Sequence, residues 1–453
     1  MVKLKEDLND NARRIHRKLT ILLRAGMVLM ESAADTNRIV RNMRRIAAFL
    51  GLNEENLNID VLYGTLKVNY SDDTHSFSRF VHSDKYNINM KALAAMSQLS
   101  WQAIQKDYTM SRFERVVNRI AQGKSDYPTW LVTLGAAMGC GGFCVLFGGD
   151  WPSFVPAMIA GFIGFAIRGR LLRSGFNVYM VTALTAFLST MAVWLLMLLL
   201  PIDFSEHPYH PFLCCALFLV PGVALINFLD DMLDNYLLVG LARLSNALVQ
   251  IASMTFGIVI AVSICGVNDF LTTLSIKPVI SYWEAAIVTC VSAIGFGMIF
   301  GVPRRTLPAV ALLGVVGMFT RNFLAFDLDL GVTIGTLVGA SLVSIIATRL
   351  VQPTRSPNHV LTIPSVIPMV PGILMYRGIF GFIQMGTAVD ELMRSLDFLI
   401  SAGLIVLCIS IGVAIPNIFA RRWVATTRKR ELQKLIADRR ERGRFVNLSD
   451  FDQ

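Results

Sequence analysis

Two Pro-Gly pairs stand inside apolar runs of this chain, Pro221-Gly222 and Pro371-Gly372. Proline removes a helical hydrogen bond, and glycine lets the backbone bend or unwind. A break at each pair leaves a half-helix starting near Val223 and another near Ile373. The first N–H groups of a helix attract a carboxylate. Five residues after each glycine comes a polar side chain, Asn227 in one case and Arg377 in the other. A guanidinium suits bidentate pairing with a carboxylate; the alternative use of Arg377 is snorkelling to headgroups. Asp231 follows Asn227 by one helical turn, on the same face. It would carry a coupling proton if desolvation raised its affinity for one. Asp230 is a second candidate, although Asp230 and Asp234 also read as a solvated loop at the end of the span.

The elements that must hold these residues are membrane helices. The chain has 453 residues, 54% of them hydrophobic and only 16% charged. Residues 1–129 hold 20 Lys/Arg and 14 Asp/Glu, residues 130–420 hold 12 and 13, and residues 421–453 hold 10 and 5. A polar head, an apolar block and a basic tail follow. A bilayer core takes about 20 apolar residues per helix. Ten apolar spans are expected, at 131–148, 153–168, 176–200, 211–229, 245–266, 283–301, 306–320, 327–348, 359–377 and 396–417. With the head inside, Arg168, Arg170, Arg173, Arg243, Arg304, Arg305, Arg349 and Arg355 fall in inner loops, as the positive-inside rule asks. Asp150, Asp203, Glu206 and Asp269 then fall outside, and Lys277, Arg321, Arg377 and Arg394 run against the rule. The charged start lacks the apolar core of a signal peptide, so the head is expected in the cytoplasm. The basic tail suits a short helix at an anionic lipid surface.

The apolar block repeats itself. Phe147-Gly148 recurs as Phe300-Gly301, and Gly161-x-x-Gly164-x-x-x-Arg168 recurs as Gly314-x-x-Gly317-x-x-x-Arg321, both at an offset of 153. Val220-Pro221-Gly222 recurs as Val370-Pro371-Gly372 at an offset of 150. Each copy has five spans, an odd number, so the second copy enters the membrane upside down. Inverted repeats with matched Pro/Gly-interrupted spans mark a transporter, with its binding site at the interruptions. The Gly-x-x-Gly spacings suit close helix packing.

Other chemistries find little support. The positive charge sits where membrane topology puts it, with no aromatic-interleaved basic stripe, so nucleic acid is not an expected partner. Gly123-Lys124-Ser125 lacks the upstream glycine of a phosphate loop, because Asn118 stands there. His207-x-x-His210 is interrupted by Pro208. Cys140 and Cys144, one turn apart, have no His or acid beside them and read as small buried residues. No metal and no cofactor is expected. The head reads as helix over 7–50, strands over 57–70 and 76–83 joined by a Ser-Asp-Asp turn, and helix over 89–122.

Three stretches together resemble the threonine/serine exporter family. In the head, Glu31-Ser-Ala-Ala-Asp-Thr36-Asn-Arg38 is similar to the family's Glu-Ser-Gly-Ala-Glu-Thr-x-Arg pattern. In the first half, Pro221-Gly222-x-x-Leu225-x-Asn227-x-x-x-Asp231 and then Gly240-Leu-Ala-Arg243 match its Pro-Gly…Asn…Asp…Gly-Leu-Ala-Arg pattern. In the second, Val370-Pro-Gly372-x-x-x-Tyr376-Arg377-Gly378 matches its Val-Pro-Gly…Tyr-Arg-Gly pattern. Ala33, Ala224 and Asp230 stand where the family commonly has Gly, Pro and a basic residue. The resemblance implies proton-driven export of small hydrophilic metabolites across the bacterial cytoplasmic (inner) membrane. It adds Tyr376 to the binding residues Pro221, Gly222, Asn227, Pro371, Gly372 and Arg377. Relatives split into two chains resemble succinate-type dicarboxylate exporters, so both solute classes stand.

The expected fold class is thus an α-helical polytopic membrane protein. It has ten transmembrane helices as two inverted five-helix repeats, with an N-terminal cytoplasmic α+β domain. Residues 1–129 form that domain, 130–268 and 280–420 the two repeats, and 421–453 the cytoplasmic tail. The expected activity is secondary export by alternating access, not enzymatic catalysis. Expected partners are a small-molecule solute (threonine, serine or a dicarboxylate), protons and the lipid bilayer, with a homo-oligomer left open. A membrane-anchored hydrolase or a channel is the rival from another class.

Overall fold

The computed structural model describes residues 2–71, 76–84, 87–123, 125–199, 209–266, 280–384 and 389–441. The expected Ser-Asp-Asp turn lies largely outside the described residues, as do Lys124, Asp203, Glu206, His207, Asp269 and Lys277. The chain divides into two compact units. One comprises Met1–Ser125, Asp231–Gly240 and Ile418–Gln453; the other comprises Asp126–Asp230 and Leu241–Asn417.

The first unit opens with helix α1 (Val2–Glu31) and α2 (Thr36–Phe49). The helical stretch expected over 7–50 is two helices and not one. Ala33 takes φ 61, a left-handed conformation that ends a helix. Asp35 then restarts it as N-cap, its Oδ1 accepting from Arg38 N at 2.8 Å and its Oδ2 from Arg38 Nε at 2.9 Å. Three antiparallel strands follow in the order β1 (Leu57–Leu62), β2 (Thr65–Ser71), β3 (Ser76–His82). The stretch 57–70 is therefore a hairpin and not one strand. Leu62 pairs with Thr65, and Gly64 at φ 78 supplies the tight turn between them. The alternation of β2 buries Leu66, Val68 and Tyr70 on one face. Helices α3 (Met90–Gln105) and α4 (Met110–Ala121) replace the single helix expected over 89–122. Asn89 and Thr109 cap them by accepting from Ala92 N and Arg112 N. Leu19, Leu22, Leu29, Ile39, Met43, Ile46, Leu66 and Phe113 are fully buried and form the core of this unit.

The second unit is helical, and some of its helices run on into the first unit's Asp231–Gly240 and Ile418–Gln453. Its first half runs α5 (Thr129–Leu146), α6 (Trp151–Arg173), α7 (Val178–Leu199), α8 (His210–Cys214), α9 (Gly222–Leu233) and α10 (Leu237–Ile264). Its second half runs α11 (Tyr282–Ile299), α12 (Leu307–Asn322), α13 (Gly331–Thr354), α14 (Asn358–Val366), α15 (Gly372–Gln384) and α16 (Val389–Glu441). Short 3-10 turns, Leu217–Leu219 and Ile367–Met369, extend α8 and α14 up to the Val-Pro-Gly sequences. Eight helices among the described residues are long and apolar enough to cross a bilayer. Two further pairs, His210–Leu219 with Gly222–Leu233 and Asn358–Met369 with Gly372–Ile383, each bend by 54°; counting each pair as one span brings the number to ten. The protein is a polytopic helical membrane protein. Leucines such as Leu195, Leu198, Leu199, Leu238 and Leu312 stand exposed on these helices, as a lipid-facing surface requires.

The repeated motifs occupy matching places. Gly148 and Gly301 both take positive φ (96 and 65) and end α5 and α11. The two helices meet backbone to backbone: a Cβ on Gly295 would stand 2.3 Å from the Gly135 carbonyl oxygen. The Gly-x-x-Gly stretches are packing surfaces. A Cβ on Gly161 would meet Cys140 Sγ at 2.9 Å, and one on Gly317 would meet Val343 Cγ2 at 2.8 Å. Cys140 and Cys144 are buried, and Cys140 Sγ donates to Cys215 O at 3.4 Å.

Candidate substrate site at two broken helices

The breaks come where proline lacks an N–H. In the first, Gly222 N donates to Val220 O at 2.8 Å, a three-residue turn, and the helical ladder restarts with Leu225 N donating to Pro221 O at 3.0 Å. In the second, Gly372 N donates to Val370 O at 2.9 Å and Met375 N to Pro371 O at 3.1 Å. The same local sequence has folded the same way twice. The amides ahead of the restart, Val223 and Ala224 in α9 and Ile373 and Leu374 in α15, precede the first i to i−4 bond of each helix.

The two breaks pack on each other reciprocally. A Cβ on Gly222 would stand 2.6 Å from Ile367 Cδ1 and 3.6 Å from Val370 Cγ2. A Cβ on Gly372 would stand 2.8 Å from Leu217 Cδ2 and 3.4 Å from Val220 Cγ2. Pro221-Gly222 and Pro371-Gly372 thus meet through an apolar crossing of Leu217, Val220, Ile367 and Val370. A side chain at either glycine would press on the tip of Ile367 or Leu217 from the opposite break.

Polar groups lie beyond that crossing. Asn227 on α9 is fully buried, as is Tyr376 on α15, whose ring stands 5.3 Å from that of Phe380. Arg377 is half-buried, its guanidinium carbon 4.1 Å over the Phe398 ring. That cation–π contact takes up part of its charge. Asn227 and Arg377, matched by the offset of 150, sit on different half-helices.

The three aspartates at the end of α9 separate in role. Asp230 is 7% exposed, which departs from the solvated loop expected, and lies 3.0 Å from His359 Nε2. This joins the end of α9 to the start of α14, across 129 residues. Asp231 is fully buried, and its Oδ1 accepts from Thr36 N at 2.8 Å, at the first turn of α2. Asp234 Oδ2 accepts from Asn37 Nδ2 at 2.6 Å. These acids compensate the N-terminal end of α2, where backbone donors and the helix dipole favour negative charge. Burial also pushes the Tyr236 phenol upward; Arg44 opposes that, and Asp234, Asp231 and Asp35 add to it.

His359 was missed in the sequence reading. The signal was present, since an ionisable histidine inside an apolar span is rare and asks for a partner. Its partner was not legible, because Asp230 looked like a loop residue.

A family model described as putative threonine/serine exporter matches residues 20–265, and a second, described as threonine/serine exporter, ThrE, matches residues 285–419. The chain belongs to the threonine/serine exporter family. It is a membrane transporter of small molecules and not an enzyme. It is 27% identical over 254 residues to a probable succinate transporter subunit, YjjP, of Klebsiella aerogenes, covering 55% of this chain and 95% of that one. It is 23% identical over 381 residues to a probable threonine/serine exporter of Mycobacterium tuberculosis, covering 80% of this chain and 70% of the relative. The YjjP protein of Escherichia coli, also described as a probable succinate transporter subunit, is 26% identical over 254 residues. No solved structure matches the chain.

Proposed function

We propose that the chain is a proton-coupled secondary exporter of small hydrophilic carboxylates, with threonine and serine as its principal solutes. It sits in the bacterial cytoplasmic membrane with both termini in the cytoplasm. Its ten spans form two inverted five-helix repeats, which exchange conformations to give alternating access. The observation that carries the reading is the matched pair of 54° breaks, each packed on the other.

In this reading the crossing of Pro221-Gly222 and Pro371-Gly372 is the gate and the floor of the solute site. The starts of α9 and α15 attract the carboxylate. Asn227 and Tyr376 orient the solute, and Arg377 adds positive charge. The proton rides on the buried Asp230–His359 pair. Asp231, the other acid expected to carry it, has its carboxylate on the first turn of α2 and serves there. A bond between α9 and α14 that tightens or loosens with one proton gives the two broken helices a means to move together.

The names of the relatives support two solute classes, and the first experiment separates them. Purified protein in liposomes is loaded with labelled threonine, with and without an imposed pH gradient, and with succinate as competitor. Saturable, gradient-dependent threonine flux that succinate leaves alone is the expected result. Threonine flux abolished by succinate, with labelled succinate itself moving, would keep the mechanism and change the solute to a dicarboxylate. Flux that never saturates would turn the reading to a channel.

A further inference from the structure

Arg321 is the last but one residue of α12, and it is 3% exposed. An arginine that snorkels keeps its guanidinium in water; this one does not. Its Nε is buried without a hydrogen-bond partner, and its Nη1 reaches only Met318 Sδ at 3.7 Å. Among the described residues it makes no ion pair. Its neighbour Asn322 is likewise buried, with Oδ1 unpartnered. A permanently charged group held out of water without a counter-ion is costly, and proteins keep one where an anion comes to it.

The helix places that charge beside the crossing. Ser365 Oγ donates to Val310 O at 2.9 Å, and a Cβ on Gly317 would lie 3.6 Å from Met369 Cε. So α12 runs alongside α14 and reaches the level of the second break at Gly317. Arg321 stands four residues further, about 6 Å along the axis. A Cβ on Gly335 would come 2.5 Å from Arg321 O, so α13 lies directly against the arginine backbone and fixes it there. A π turn, Phe323–Asp327, follows at once; such turns recur at functional sites.

The first half repeats the arrangement. A Cβ on Gly164 would lie 3.4 Å from Phe218 Cζ, just ahead of the first break. Arg168 follows four residues later, its Nε also buried without a partner. Each half thus carries an arginine whose Nε is buried without a partner, four residues past a glycine that packs beside the segment leading into its break.

We propose that Arg321, four residues past Gly317, is a binding station for the solute carboxylate, and that Arg168, four residues past Gly164, is its counterpart in the first half. The inference rests on the exporter reading above and deepens it. The carboxylate passes from one fixed guanidinium to the other as the gate reverses, with Arg377 adding positive charge between them. A planar fork held by packing discriminates for a carboxylate over a point anion.

The test measures binding and thermal unfolding of the purified full-length chain, wild type and Arg321→Met. Probes are threonine, succinate, threonine methyl ester, chloride and inorganic phosphate. Removing an unpaired buried charge should leave the melting temperature of the empty protein unchanged or raise it. Threonine or succinate should raise the wild-type melting temperature, and its affinity should fall about 10- to 100-fold in Arg321→Met. The methyl ester should not bind. Equal affinity of both proteins for the solute overturns the station and leaves the exporter reading standing. Chloride or phosphate stabilising the wild type as well as the carboxylates do reassigns Arg321 to an inorganic anion, and overturns it too. Absence of carboxylate binding to the wild type overturns both readings. If Arg321→Met fails to fold, Arg321→Lys carries the test: loss of the fork should weaken binding several-fold, and unchanged affinity refutes the proposal.

Discussion

Asp230 and Asp231 are neighbours in sequence with opposite consequences on replacement. Asp230 lies 3.0 Å from His359 Nε2, and Asp231 Oδ1 accepts from Thr36 N at 2.8 Å. Asp230→Asn keeps the shape and one hydrogen-bond partner for the imidazole, so the fold should persist. It removes the carboxylate to which the proposed mechanism assigns the coupling proton. One pH unit is worth about 1.4 kcal/mol. A one-for-one exchanger under a gradient of about two units therefore sustains roughly a 100-fold solute ratio. In liposomes, Asp230→Asn should let that ratio relax to about 1 while downhill exchange of labelled solute continues. Asp231→Asn still offers an oxygen to Thr36 N and should keep the ratio. Asp231→Ala should lower stability by about 1–2 kcal/mol, the usual cost of a lost helix cap, without uncoupling. Gradient-driven accumulation by Asp230→Asn at the wild-type level would refute the assignment. Uncoupling by Asp231→Asn at unchanged melting temperature would return the proton to Asp231.

Further expectations follow from single contacts. Gly295→Ala puts a methyl 2.3 Å from the backbone oxygen of Gly135 and should cost about 2–3 kcal/mol; Gly403→Ala, with nothing within 4 Å, should leave thermal unfolding unchanged. Asp35→Ala removes both hydrogen bonds to Arg38 and should destabilise by about 2 kcal/mol, read as a lower unfolding temperature. Tyr127 donates to Val302 O at 2.7 Å. Burial first, then the Asp126 charge, pushes its phenol from 10.0 to about 12, against the opposing pull of Arg304. A raised acid of this kind stabilises below its unfolded value and loses that contribution as pH rises. The wild type should therefore exceed Tyr127→Phe in stability by about 1 kcal/mol at pH 8, and the gap should close between pH 10 and 12. Arg377→Lys keeps the charge but loses the planar contact with Phe398. Solute flux should fall severalfold at normal expression; wild-type flux would remove Arg377 from the site.

Local rules made much of this protein legible from its residues. Apolar length marks the spans, because a bilayer offers no water to unpaired backbone. Pro-Gly sets the breaks at 221 and 371, because proline has no N–H to give. The recurrence of Phe-Gly, Gly-x-x-Gly and Val-Pro-Gly marks equivalent helix ends and contacts. The head was harder to read for the same local reason. One left-handed residue, Ala33, and one short turn, Tyr63-Gly64, divide elements that hydropathy alone runs together. Partners far apart in sequence were decided by the tertiary structure alone. Asp231 meets Thr36 across 195 residues and Asp230 meets His359 across 129. Nothing in the spacing of adjacent acids tells which one pairs with a histidine and which one closes a helix end. Arg321 read as one more exception to the positive-inside rule. Packing against α13 made it a buried charge without a partner, because burial is a property of the neighbours and not of the residue.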